Sequence, residues 1–179
     1  MSNVVYSNIS CLKHYCQWQA DNALVQHLLP EALVPWLGGT GSLTQALRVI
    51  ADGTFKVSVL SEQIKVPFWH EQRKLQRSLH LAALIREVEL SIHERPVVFA
   101  RSIIPLNLVS AGRGGLKNLG GTPLGHLLFK DGNMRVSKRE FLRLQINQKT
   151  IHARRTPYDY LDSRILVSEF FLPEFNKYL

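Results

Sequence analysis

Apolar and polar side chains alternate along Ile165-Leu166-Val167-Ser168-Glu169-Phe170-Phe171-Leu172-Pro173, the pattern of a strand whose side chains leave alternately to two faces. That period places Glu169 with Ile165, Val167 and Phe171, a carboxylate on an apolar face. Leu84-Ile85-Arg86-Glu87-Val88-Glu89-Leu90 repeats the pattern with the opposite charge, since Arg86 falls with Leu84, Val88 and Leu90 while the other face is mostly polar. In Val97-Val98-Phe99-Ala100-Arg101-Ser102-Ile103-Ile104-Pro105, Arg101 falls with Val97, Phe99 and Ile103. The intervening Ile92-His93-Glu94-Arg95-Pro96 reads as a hairpin connection, so both arginines are expected on neighbouring antiparallel strands.

Other segments extend this pattern. Residues 22–37 read as helical turns interrupted at Pro30. Gly38-Gly39-Thr40-Gly41 ends them, and Ser42 can cap a helix running through Leu43 and Leu47 to Asp52-Gly53. Phe55 to Leu60 alternates as a strand. Strands are expected over about 80–91, 97–104, 133–146 and 150–160, with a glycine-rich loop at Ala111-Gly112-Arg113-Gly114-Gly115. Early helices followed by hairpin-linked strands predict an α+β fold, an antiparallel β-sheet flanked by helices. With no repeat, low-complexity tract or linker, residues 1–179 read as a single domain.

A charge on an apolar face is costly unless a counter-charge or hydrogen bond meets it. For each residue alone a structural reading suffices: arginine heads reach water while their stems are buried, and Glu169 can pair with Arg86. Three such charges together favour a buried site that handles charge, and its positive balance suits an anionic ligand. A separate feature is Leu119-Gly120-Gly121-Thr122-Pro123-Leu124-Gly125, where Thr122 fits an N-cap and Pro123 the first helical position. The free amides of such a helix start, Leu124 included, suit a carboxylate, although an ordinary capped helix reads the same way.

The 45% hydrophobic content is that of a globular protein. No run approaches the roughly 18 apolar residues of a membrane helix, and the N-terminus carries no secretory signal pattern. Cys11 and Cys16 have no Cys/His partner set, so no metal is expected and reduced cytoplasmic thiols are the default. The net charge of +8 suits either nucleic acid or small anions. Its basic residues are scattered, with modest clusters at Arg135, Lys138, Arg139, Arg143 and at Arg154-Arg155. They read as solvated surface, and nucleic acid is not expected as a partner.

The order Leu84-Ile85-Arg86-Glu87, Ala100-Arg101-Ser102-Ile103-Ile104-Pro105, Leu119-Gly120-Gly121-Thr122-Pro123-Leu124-Gly125, Ala153-Arg154-Arg155, then Val167-Ser168-Glu169-Phe170-Phe171-Leu172-Pro173 resembles the chorismate pyruvate-lyase family, over about Trp36 to Pro173. The resemblance implies removal of pyruvate from chorismate to give 4-hydroxybenzoate for ubiquinone biosynthesis, without cofactor or metal. With no heptad or long exposed apolar stripe in the sequence, a cytoplasmic monomer is expected. The resemblance also implies Arg86 and the Leu124 amide as substrate-binding groups for the ring carboxylate, and Leu43 as a flap contact in place of an expected methionine. Glu169 is implied at the 4-hydroxyl and Arg101 on the pyruvyl side, the two catalytic candidates. Residues 61–80 match poorly. The same fold also serves as a non-catalytic, small-ligand-sensing domain in transcription regulators, but roughly 35 residues precede the matched stretch, too few for a winged-helix domain.

Overall fold

The architecture is that of a computed structural model, which describes residues 17–20, 29–76, 80–111, 116, 119–122, 124–125, 132 and 134–179. The predicted features at 22–28, Gly112 to Gly115, Pro123, Cys11 and Cys16 lie outside the described residues.

Eight strands among the described residues form one antiparallel sheet: β1 (Gln19–Ala20), β2 (Lys56–Lys65), β3 (Ala83–Ile92), β4 (Arg95–Pro105), β5 (Met134–Val136), β6 (Glu140–Ile146), β7 (Lys149–Tyr160) and β8 (Ser163–Phe171). They lie in the order β1-β6-β7-β8-β4-β3-β2, with β5 also paired to β7. The α+β expectation is borne out. Among the described residues the helices α1 (Val34–Gly38), α2 (Leu43–Ile50), α3 (Trp69–Leu75) and α4 (Leu106–Ser110) accompany the sheet.

Local chemistry explains most element ends. Ser42 caps α2 as expected, its hydroxyl accepting from the Gln45 amide at 3.4 Å. The β3–β4 connection is tighter than the predicted five residues: His93 and Glu94 alone turn the chain, with φ of 47° and 59°, the left-handed pair that a two-residue hairpin demands. The expected strand over 133–146 is two strands. Its break at Ser137 to Arg139 lies opposite Pro157, whose carbonyl accepts from the Ser137 amide at 2.9 Å but which has no N–H to continue a ladder. The strand expected at 55–60 runs on to Lys65.

Directly opposed residues share a face, so the register divides the sheet's side chains. One face presents, row by row across β3, β4, β8 and β7, Leu90, Val98, Phe171 and His152; then Val88, Ala100, Glu169 and Arg154; then Arg86, Ser102, Val167 and Thr156. Helices α1 and α2 cover the first end of this face through Leu37, Leu43 and Leu47, joined by Leu33 just before α1 and by Phe175 near the C-terminus. Leu108 of α4, with Leu116, Leu119 and Leu124, covers the other end against Leu84, Ile104, Tyr158 and Ile165.

The opposite face carries Ile103 and Leu166 under Leu75 of α3, and Phe99, Phe170, Leu142 and Ala153 beyond them. Here lies Arg101, and this corrects the expectation that it joins Arg86 and Glu169. Glu87, not Arg86, stands opposite Arg101 on β3. Arg101 donates to both carboxylate oxygens of Glu71, Nε at 2.8 Å and Nη2 at 3.1 Å, and through Nη1 to Glu87 at 2.7 Å. Its guanidinium also stacks on Phe68, 4.5 Å from the ring centre. Burial works against this charge, but the two carboxylates outweigh it and hold the arginine above its ordinary pKa. Glu71 sits at 1% exposure and also accepts from the Phe68 amide at 2.9 Å, closing the first turn of α3. Arg155 shares this face, where it donates to Glu140 and stacks on Trp18.

Arg101 and Glu71 therefore form a buried bidentate pair that fastens α3 to the sheet. Glu71→Gln leaves Arg101 without its principal counter-charge and should cost about 3–5 kcal/mol of stability, read as the loss of unfolding free energy in urea at constant m-value.

Candidate active site

Between the two apolar ends of the first face runs a polar band. Arg86, Arg139, Arg154, Thr156 and Glu169 all lie in it, and all are buried. Each is placed by strand alternation, except Arg139, which sits in the break before β6 and reaches Thr156 Oγ1 with its Nε at 3.2 Å.

Glu169 does not pair with Arg86. Its partner is Arg154, directly opposite on β7, whose Nε donates to Glu169 Oε2 at 2.5 Å. Arg154 is 2% exposed, and burial disfavours its charge, but Glu169 outweighs that and holds it above its ordinary pKa. The doublet Arg154-Arg155 is thus interior on both faces rather than solvated surface. The signal that finds it is the one that singles out Arg86, charges set among Ile151, Ala153, Tyr158 and Tyr160 in a strand. Glu71 carries no such signal, because Trp69-His70-Glu71-Gln72-Arg73-Lys74 reads as an exposed helix until Arg101 is seen to require it.

Arg86 is differently provided for. Its Nη2 donates to the Gly120 carbonyl at 2.5 Å. Its Nε lies 3.1 Å from Glu62 Oε2 on the edge strand β2, an ion pair without hydrogen-bond alignment that leaves this buried N–H unsatisfied. Glu62 is itself about one-third exposed, its side chain at 34%, so the pair is partly screened. Burial dominates and holds Arg86 below its ordinary pKa, in contrast to Arg101 and Arg154. A buried guanidinium with incomplete compensation is where an added anion gains most.

The groups expected around Arg86 converge on it. Gly120, at φ 47°, brings its carbonyl to the guanidinium, and Leu124 follows in helical conformation, 5% exposed. Leu43, at the start of α2, is buried in the cluster that holds Val88 and Ala100 of the same band. The two roofing segments approach each other, since a Cβ on Gly125 would stand 3.6 Å from Ser42 Oγ. Tyr158 borders the band, and its phenol is pushed up to about 12, first by burial and then by Glu169, so it stays protonated at neutral pH. The structure thus brings together Arg86, Glu169, Leu124 and Leu43, and leaves Arg101 across the sheet.

Among the described residues no three His, Cys, Asp or Glu side chains are grouped to hold a metal ion, and no helix is long and apolar enough to cross a membrane. The arrangement offers an anion the incompletely compensated guanidinium of Arg86, on the same face as the Arg154–Glu169 pair.

Comparison with known proteins identifies the family. A protein of Pseudomonas putida named a probable chorismate pyruvate-lyase is 37% identical over 165 residues, covering 88% of this chain and 90% of that one. One of Methylococcus capsulatus bearing the same name is 31% identical over 150 residues, covering 77% and 93%. Among solved structures, the C-terminal domain of the histidine utilization repressor from Pseudomonas syringae superposes with a TM-score of 0.51 at 9% identity, covering 67% of this chain and 92% of that domain. A GntR-family transcriptional regulator from Bacillus cereus gives 0.50 at 14%, covering 68% and 94%. At such identities these two share the fold and nothing more. The model of the chorismate lyase family matches residues 12–178, nearly the whole sequence, and the chain belongs to that family.

Proposed function

We propose that the polar band is the site at which this chain converts chorismate to 4-hydroxybenzoate and pyruvate. The observation that carries the reading is Arg86, a buried and under-compensated guanidinium facing the Gly120–Leu124 turn. In this reading Arg86 and the Leu124 amide hold the ring carboxylate, Glu169 meets the 4-hydroxyl, and Leu43 closes the face above the ring. The whole of residues 1–179 acts as one domain, a cytoplasmic monomer on a freely diffusing substrate.

The reaction breaks the C3–O bond and removes the C4 hydrogen, so that the ring becomes aromatic and the enolpyruvyl fragment takes up a proton as pyruvate. Aromatisation supplies the driving force. The protein's part is to hold the reactive conformer and to favour charge developing on the departing oxygen. Arg86, Arg139 and Arg154 give the band a positive potential that suits a dianionic substrate. The leaving-group role expected of Arg101 is withdrawn, because both Glu71 oxygens and Glu87 already engage it on the opposite face.

Purified protein treated with a chelator should convert chorismate to equimolar 4-hydroxybenzoate and pyruvate. Binding of 4-hydroxybenzoate without any turnover of chorismate would instead mark a sensor of the same fold.

Arg86→Ala should weaken 4-hydroxybenzoate binding by about 2–5 kcal/mol, and Arg86→Lys should restore little, since an ammonium lacks the planar fork that a carboxylate fits. Titration calorimetry decides this, and near-normal affinity in Arg86→Ala would reduce the residue to scaffold.

Glu169→Gln separates chemistry from stability. If Glu169 acts on the 4-hydroxyl, the single-turnover rate per folded molecule falls, beyond whatever stability is lost with the Arg154 counter-charge. A destabilised protein with an unchanged rate would leave Glu169 as a structural partner of Arg154.

A further inference from the structure

Arg154 serves two unlike clients with one guanidinium. Its Nε holds Glu169, while its Nη1 donates to the Trp36 carbonyl at 2.6 Å and the Gly39 carbonyl at 3.2 Å. These oxygens belong to the end of α1 and the residue beyond it, where helix carbonyls lack partners within the helix. Arg139 takes the Gly38 carbonyl between them, at 2.6 Å. Two buried arginines thus fasten residues 36–39 to the sheet.

From that point the chain runs through Thr40 to Ser42 and enters α2 at Leu43, roofing the band. Gly39 lies so close to the Pro35 carbonyl that a Cβ there would stand 2.5 Å from its oxygen, so the exit from α1 is a tight turn with little freedom of its own. At the far end Ser42 lies beside Gly125. The segment 39–43 is therefore a strap, tied by arginines at one end and resting on the Leu124 segment at the other. The same guanidinium that ties the strap is bonded to Glu169.

We propose that Arg154 is a positioning residue that makes closure of the 39–43 strap depend on the Glu169 carboxylate. The inference rests on the reading of the band as a hydroxybenzoate site. Bonded through Nε, Glu169 fixes the plane of the guanidinium, and that plane aims Nη1 at the Trp36 and Gly39 carbonyls. When Glu169 loses its charge, the plane is no longer fixed and the strap loosens. Arg139 holds the Gly38 carbonyl through its Nη1 and Thr156 through its Nε.

The test pairs release kinetics with amide exchange. In Arg154→Lys a single ammonium cannot serve Glu169 and two carbonyls together, and 4-hydroxybenzoate dissociation, followed by stopped-flow displacement, should quicken about tenfold or more for one lost charged hydrogen bond. In a Glu169→Gln background the same substitution should change dissociation far less. Equal effects of Arg154→Lys in both backgrounds would overturn the proposal. Should Arg154→Lys fail to fold, amide exchange over residues 36–47 decides without ligand: it should be faster in Glu169→Gln than in the parent protein, and unchanged exchange would overturn the proposal. Because that comparison uses neither chorismate nor 4-hydroxybenzoate, its failure is distinguishable from failure of the functional reading.

Discussion

Everything in this structure answers to the burial of guanidinium groups in one antiparallel sheet. Arg86, Arg101, Arg139, Arg154 and Arg155 are each at most 5% exposed, and a buried ion without compensation is among the most costly features a fold can carry. On one face Glu71 and Glu140 meet Arg101 and Arg155, and α3 is held there as a result. On the other, Glu169 and a row of main-chain carbonyls meet Arg154 and Arg139, and α1 is held there. Arg86 alone of those with a resolved shift is left below its ordinary pKa. The answer is least complete at Arg86, the residue proposed to hold the substrate carboxylate.

Much of this was legible in the sequence because a strand writes its two faces as alternate residues. The inward placement of Arg86 and Glu169, the capped start of α2 at Ser42 and the antiparallel hairpin of β3 and β4 follow from period-two counting and cap chemistry. Arg101 was legible as an inward charge, but periodicity within one strand cannot say which of two buried faces is meant. Only the pairing of Arg101 with Glu87 across the hairpin decides it. Both faces of this sheet are covered, and on the polar side of β3 that suggested solvent Glu87 is partly buried and turns to Arg101.

Other features were hidden for identifiable reasons. The break between β5 and β6 depends on Pro157, which is not in either strand but opposite their junction. The tight His93–Glu94 turn uses two residues that rarely take left-handed conformations, so no Asn-Gly signal announced it. The ties between Arg154 and residues 36–39 join side chain to main chain across more than a hundred positions, and sequence pattern does not encode such bonds.

The Arg154-Arg155 doublet also bears on how the chain finds its alignment. Adjacent residues of β7 point to opposite faces, and both faces there accept an arginine, so hydrophobic alternation does little to forbid a one-residue slip. The carboxylates forbid it. Glu140 stands opposite Arg155 across one border of β7, and Glu169 opposite Arg154 across the other. If β8 slipped so that Glu169 met Arg155, one arginine would hold two carboxylates and its neighbour none. The two acidic residues therefore work as registration pins, satisfied together in a single alignment of three strands, and the charge placement that shapes the band also selects the fold against its nearest misfolded neighbour.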